Sequence, residues 1–478
     1  MTKSPARDPS NAAPLHEQIY ARIRASIQQG QLKPGQRVPS LRAFAGELGV
    51  ARGTVQVAYE RLLGEGYLIA RGPAGTFVSE QIAPSRLHRV TAAAGSSRTP
   101  PGQELTEFSI ETEGGIPGPL QLGLPALDEF PRKLWTRLMA RQIRRSASSL
   151  TRPASAGFGP LRDALAAYLQ RSRGIDAQPH QVYVVPAYTA SLALIVDALR
   201  LTGESAWVED PSYPLTAQSL RRLNLQVRNV PVDDHGLDVE FGRQHYPEAR
   251  LAVVTPSHQS PTGVALTLQR RVELLDWAGE RGAWIIEDDY DGEFRYRGHP
   301  LPALKSLDTC DRVIYCGTLS KVLYPGLRLA YVVVPQSLVP TMDLACRRTV
   351  HGGCPELLQA VAAEFIAAGH FARHIKRMRT LYARRRAMLA EALAPYKTDG
   401  FTVCLQDGGM HLLVDVRDDL DDLAMARRAR EAGFAVHSLT AWRHGAPGRR
   451  GLMMGFTNLR SQTEADRLVA ELMRALKA

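Results

Sequence analysis

The chain has 478 residues, 44% hydrophobic and 22% charged, with a formal net charge of +11. That is the profile of a soluble globular protein of two or more packed units. No window approaches the uninterrupted apolar length of a bilayer span, so the expected location is the cytoplasm. The five cysteines (Cys310, Cys316, Cys346, Cys354, Cys404) are odd in number and lack CxxC spacing, which argues against a disulfide frame or a zinc site. The positive charge suits a polyanionic partner, and +5 of it lies in residues 1–79.

After a polar N-terminus over 1–13, Leu15, Ile19, Ile23 and Ile27 recur every four residues, which predicts a helix with one buried face, stopped at Gly30. Past the turn Lys33-Pro34-Gly35, Ser40 is placed to cap a second helix, Leu41 to Leu48, which Gly49 ends. A third helix is expected over Arg52 to Leu63. Tyr67 to Val78 then reads as a two-stranded wing with Gly72-Pro73-Ala74-Gly75 at its tip. Helix, helix, turn, helix and hairpin over 14–79 make a winged helix-turn-helix. Arg52, Thr54 and Gln56 fall at the start of the third helix, where side chains reach base edges and amides face phosphate.

Residues 80–116 are small, polar and proline-bearing, as in a linker. From 117 to 478, apolar strand candidates alternate with helical stretches such as Leu161 to Leu169, Ser191 to Leu199 and Leu268 to Arg281. The strands are Val182 to Val185, Ala206 to Val208, Leu251 to Val254, Trp284 to Ile286, Val313 to Tyr315 and Ala330 to Val334. This alternation predicts an α/β domain with a mostly parallel sheet, whose ligands gather at the carboxyl ends of its strands. At one such end Ile285-Ile286 runs into Glu287-Asp288-Asp289-Tyr290-Asp291, with Asp288 and Tyr290 on one face. Gly317-Thr318-Leu319-Ser320-Lys321 follows, then Pro325-Gly326-Leu327-Arg328. A partly desolvated lysine can attack an aldehyde as the free amine, and nearby hydroxyls and an arginine offer donors for phosphate.

Leu32-Lys33-Pro34-Gly35-Gln36-Arg37-Val38-Pro39-Ser40-Leu41-Arg42, Gly49-Val50-Ala51-Arg52-Gly53-Thr54-Val55 and Tyr59-Glu60-Arg61-Leu62 resemble the winged-helix head of the GntR family. In this reading Arg37, Ser40 and Arg42 hold the DNA backbone, Arg52, Gly53, Thr54 and Gln56 lie at the groove, and Gly75 lets the wing approach the minor groove. Ala51 departs from the family's frequent serine. The Asp288, Tyr290 and Lys321 arrangement resembles fold type I pyridoxal phosphate enzymes, the aspartate aminotransferase superfamily, with a smaller C-terminal α+β subdomain. Together the two parts resemble the MocR branch of GntR regulators.

That resemblance implies pyridoxal 5'-phosphate in Schiff-base linkage to Lys321, Asp288 on the pyridine nitrogen, Tyr290 on the phenolic oxygen and Tyr213 stacked on the ring. Ser260, opening Ser260-Pro261-Thr262-Gly263, stands where aminotransferases carry asparagine. Thr318, Ser320, Arg328 and the turn Ala187-Tyr188-Thr189 would cradle the phosphate. No metal is implied.

Several positions depart from the pattern. The phosphate turn reads Pro186-Ala187-Tyr188-Thr189 instead of Ser-Gly-x-Gln, and Arg152 stands near where a tyrosine is expected. Met453, in Gly451-Leu452-Met453-Met454-Gly455-Phe456, occupies the place of the arginine that clamps a substrate carboxylate. Leu215 replaces a second effector-binding arginine. An ordinary amino acid is therefore disfavoured as ligand unless Arg443, Arg449, Arg450 or Arg460 swings in.

The expected function is a DNA-binding transcriptional regulator sensing an amine-bearing effector, as an external aldimine at Lys321, or pyridoxal phosphate itself. Its partners would be a double-stranded operator with repeated half-sites and a second copy in a head-to-tail dimer. It is expected not to be an enzyme. The alternatives are an active aminotransferase carrying a DNA-binding head, and a DNA-binding protein whose cofactor fold stays empty.

Overall fold

A computed structural model describes residues 14–80, 117–145, 154–298, 301–348, 353–445 and 448–477. The expected flexible N-terminus, almost all of the expected linker and Arg152 lie outside these residues.

The head is built from α1 (Leu15–Gln28), α2 (Leu41–Leu48), α3 (Arg52–Gly64), β1 (Leu68–Ala70) and β2 (Thr76–Val78). Ile19, Ile23 and Ile27 are buried with Val55, Tyr59 and Leu62, whereas Leu15, the first position of the expected stripe, is 45% exposed. Ser40 caps α2 by accepting from the Ala43 amide at 3.2 Å, and Gly49 ends that helix in the left-handed region at φ 64°. The two wing strands pair antiparallel, Leu68 opposite Val78.

The large domain opens with α4 (Arg132–Arg145), α5 (Gly159–Arg173), β3 (Val182–Val185), α6 (Tyr188–Leu199), β4 (Ser205–Asp210), α7 (Pro214–Arg222), β5 (Gln226–Asp233) and β6 (Gly236–Leu237). It continues through α8 (Val239–His245), β7 (Leu251–Val254), α9 (Leu268–Arg281), β8 (Trp284–Asp289), β9 (Val313–Thr318), β10 (Ala330–Val333), α10 (Val339–Arg348), α11 (Glu356–Ala367) and α12 (His370–Leu393). The eight-stranded sheet runs β3-β10-β9-β8-β7-β4-β5-β6. Its central pairs, β9 with β8, β8 with β7, β7 with β4 and β4 with β5, are parallel, and the remaining pairs are antiparallel. The carboxyl ends of β4, β7, β8 and β9 therefore lie along one edge, which is where a ligand site belongs.

A C-terminal subdomain carries β11 (Phe401–Cys404), β12 (His411–Val416), α13 (Asp422–Glu431), β13 (His437–Ser438), β14 (Gly451–Gly455) and α14 (Gln462–Lys477). Its antiparallel sheet has the order β11-β12-β14-β13.

Two differences from the sequence reading have physical causes. β8 and β9 each extend three residues beyond the expected ends, because Glu287, Asp288 and Asp289 are buried strand residues and Cys316, Gly317 and Thr318 continue the pairing with β8 and β10. β5 was not foreseen: its polar residues and Pro231 hide a strand that pairs with β4.

Candidate functional site

In the head, the N-terminus of α3 has Ala51 at its cap with no side-chain hydrogen bond, so the missing serine does leave the cap unmade. Arg42, Arg52, Gly53 and Gln56 are exposed and Thr54 is half-buried. Gln56 donates to Glu60 at 2.8 Å on the same helix face. Arg37 is exposed and bridges to Phe77 of the wing. Gly75 has φ 104°, a conformation that favours glycine, and a Cβ there would sit 2.8 Å from Nε of the exposed Arg37 side chain. Ser40 is exposed, and its hydroxyl is the helix cap already described.

In the large domain, Asp288 is buried near the carboxyl end of β8, and Lys321 is half-buried just beyond β9. Burial lowers the Lys321 pKa from the ordinary lysine value, although the carboxylates of Asp291 and Asp288 oppose it. Its ammonium donates to the carbonyl of Gly123 at 3.1 Å. Burial pushes Asp288 well above the usual aspartate range, reinforced by Asp289, Glu209 and Asp291 and opposed by Lys321. Among the described residues no basic side chain forms an ion pair with it.

Tyr213 caps α7 beyond β4, half-buried, its ring 5.6 Å from that of Trp442. Burial and then Asp288 push its pKa up to about 12. Tyr290 follows β8, and its phenol is raised well above the ordinary value by burial and Asp291, with a hydrogen bond to Ser260 opposing. Ser260 is buried, its amide donating to Thr255 Oγ1 at 3.1 Å.

Tyr188 and Thr189 open α6, where the first helical amides are free for an anion. The Tyr188 phenol lies 3.1 Å from Thr216 Oγ1, and burial, then Asp288, raises its pKa well above the ordinary value. Thr318 accepts from the Ser320 amide at 3.1 Å, and both residues are half-buried. Arg328 is exposed and holds a left-handed φ of 51°.

Sequence reading missed several residues that the fold brings here. Gly123 has φ 64°, and a Cβ on it would collide with Lys321 Nζ. Buried His258 places Nδ1 2.9 Å from the Tyr290 hydroxyl. Glu209 accepts from the Thr255 amide and hydroxyl and from Gln259, while burial pushes it up to about 7. Beneath the strand ends, Asp289 accepts from Tyr315 at 2.6 Å and pairs with Arg173, which also donates to the Gly292 carbonyl. Asp289 and Tyr315 fell within quoted strand segments without a role assigned to them, and Gly123 and His258 belonged to no motif.

Residues 133–449 match the family of aminotransferase class I and II, and residues 15–78 match bacterial regulatory proteins of the gntR family. The chain is 35% identical to the probable rhizopine catabolism regulatory protein MocR of Rhizobium meliloti, over 94% of this chain and 91% of that one. The chain is a MocR-type regulator of the GntR family. It is also 30% identical to the pyridoxine biosynthesis regulator PdxR of Corynebacterium glutamicum, over 94% of both chains. The kynurenine aminotransferase of Pyrococcus horikoshii, solved with PMP, superposes with a TM-score of 0.67 at 28% identity, covering 75% of this chain and 90% of that one.

MocR-type regulators join a DNA-binding head to a fold type I domain, and the cofactor of that domain is pyridoxal phosphate. This regulator's residues fit it. Asp288 is a buried carboxyl among three others, lacking the cation that a protonated pyridine nitrogen supplies, and Gly123 leaves room at the Lys321 amine.

Position 453, where the resemblance led us to expect a carboxylate-clamping arginine, is apolar in this regulator. Met453 is fully buried on β14 in a cluster with Leu413, Leu439 and Trp442, against which Leu122 and Tyr213 pack. Arg449 is paired with Asp415, and Arg450 donates to the carbonyls of Asp418 and Leu420. Arg460 is exposed. Arg443, next to Trp442, is half-buried and donates to the Arg449 carbonyl at 3.3 Å. Leu215 is half-buried in the first turn of α7.

Proposed function

We propose that this regulator binds pyridoxal phosphate at Lys321 and senses a primary amine that carries no carboxylate. Bound there, the cofactor supplies an electrophilic carbon that either Lys321 or an effector amine can occupy. Lys321 serves as the native occupant because burial favours its uncharged amine. Asp288 holds the ring nitrogen, Tyr290 with Ser260 the phenolic oxygen, and Tyr213 the ring face. Thr318, Ser320, Arg328 and the first amides of α6 at Tyr188 and Thr189 take the phosphate. The observation that carries the effector class is Met453, buried among leucines and Trp442 where a carboxylate would need an arginine.

The same feature supports a regulator over a working aminotransferase, since an amino acid would find no two-pronged anchor. The heads act on a double-stranded operator through Arg37, Ser40, Arg42, Arg52, Gly53, Thr54, Gln56 and Gly75, with a homodimer presenting two heads to repeated half-sites. Coupling requires that the effector favour one arrangement over another.

The test is the visible absorbance of full-length protein with pyridoxal phosphate beside a Lys321→Ala variant, followed by titration with amines and with amino acids. A band that only the wild type shows, altered by carboxylate-free amines with a parallel change in operator binding, is the expected result. Sustained keto-acid formation from an amino acid would favour the aminotransferase, and identical spectra for both proteins would overturn the sensor.

A further inference from the structure

His258 stands between the cofactor site and the C-terminal subdomain, and nothing in the proposed reading uses it. Its Nδ1 is 2.9 Å from the Tyr290 hydroxyl and 3.2 Å from the Asp291 carboxylate. One ring nitrogen offers either a proton or a lone pair. A lone pair aimed between these groups would be repelled by the carboxylate, whereas an Nδ1 proton is attracted to both oxygens. That tautomer leaves the phenol's own proton unused by the imidazole.

The opposite edge of the ring meets the segment leading into β12. A Cβ at Gly409 would collide with the imidazole, and one at Gly263 would lie 3.0 Å from Nε2. The Gly409 amide donates to the Phe294 carbonyl at 2.9 Å, and the Tyr296 amide to that of Asp407 at 2.7 Å. His411, whose ring centre is 5.8 Å from that of His258, donates to the Pro261 carbonyl at 2.9 Å. Within β12 and β14, Leu413 lies opposite Met453. Contacts thus run without a break from the Tyr290 phenol through His258 to the strand beside Met453. A polar cavity of about 80 Å³, lined in part by Arg173, Ser257, His258, Asp291, Arg295 and Asp407, adjoins the ring and has room for water.

We propose that His258, oriented by Asp291, is a positioning residue that keeps the Tyr290 hydroxyl available as a donor to the cofactor and ties it to the segment leading into β12. This rests on the reading that pyridoxal phosphate binds at Lys321. The groups facing His258 are Tyr290 and Asp291 beyond β8, His411 on β12, and Arg173, Arg295 and Asp407 around the cavity.

The test is a double-mutant cycle on full-length protein loaded with pyridoxal phosphate, reading the pH midpoint of its visible absorption and the cofactor's affinity. His258→Gln is expected to move the midpoint by about one pH unit and to weaken cofactor binding about tenfold, the effect of losing one buried hydrogen bond. In a Tyr290→Phe background the same substitution is expected to add nothing. Unchanged midpoints, or an equal further shift in that background, would overturn the inference while leaving the cofactor reading intact. A wild type with no visible band would overturn both. If His258→Gln does not fold, 15N NMR of histidine-labelled wild type decides the matter: a protonated Nδ1 on His258 supports the proposal, and a protonated Nε2 with bare Nδ1 overturns it.

Discussion

The Lys321 ammonium donates to the Gly123 carbonyl at 3.1 Å across 198 residues of sequence, and the same glycine has no room for a side chain on the lysine's side. Gly123→Ala places a methyl group against Nζ and also strains a left-handed backbone, which costs about 1 to 3 kcal/mol. The variant is expected to lose most cofactor binding, read as loss of the visible band, while operator binding by the heads persists.

Met453→Arg would bury a guanidinium among the apolar side chains of Leu413, Leu439 and Trp442. An uncompensated buried charge costs about 3 to 5 kcal/mol. Denaturant unfolding should show that loss, and an amino acid effector should recover part of it if its carboxylate reaches the new arginine. No recovery with any amino acid would mean that position 453 does not face the effector.

Glu209 is pushed up to about 7 by burial, from an ordinary value of 4.5. Between those values the folded chain keeps a proton that the unfolded chain has released, so stability falls as pH rises through this window and levels off above it. Glu293, also pushed up to about 7 by burial and Asp289, adds a slope of the same sign. Glu209→Gln should therefore reduce the slope without abolishing it, as measured by urea midpoints of cofactor-free protein from pH 4.5 to 7.5.

The two caps of the head act in opposite directions. Ser40→Ala removes the acceptor for the Ala43 amide and should destabilise α2 by about 1 kcal/mol, while Ala51→Ser supplies α3 with the cap it lacks and should stabilise it by about the same amount. Hydrogen exchange of amides in the two helices would resolve the changes separately.

The head was legible because local chemistry fixes it: Ser40, Gly49 and the apolar spacing specify α2 to the residue. The parallel sheet was legible for its apolar cores. Its acidic extension at β8 was not, because a buried acid looks like a solvated one until its partners are known. Lys321, Asp288, Tyr290 and Tyr213 carried motif-level signals. Gly123 and His258 did not, since each owes its role to a neighbour distant in sequence, and a lone glycine or histidine has many duller uses.

Arg173, Asp289 and Tyr315 are all buried and meet beneath the strand ends. Changing any one of them alone strands a charge or a polar group, whereas exchanging all of them for well-packed apolar residues need not be costly. Inheritance at these positions is therefore constrained as a set: descendants of this chain either keep all three or cross an unstable intermediate to replace them together.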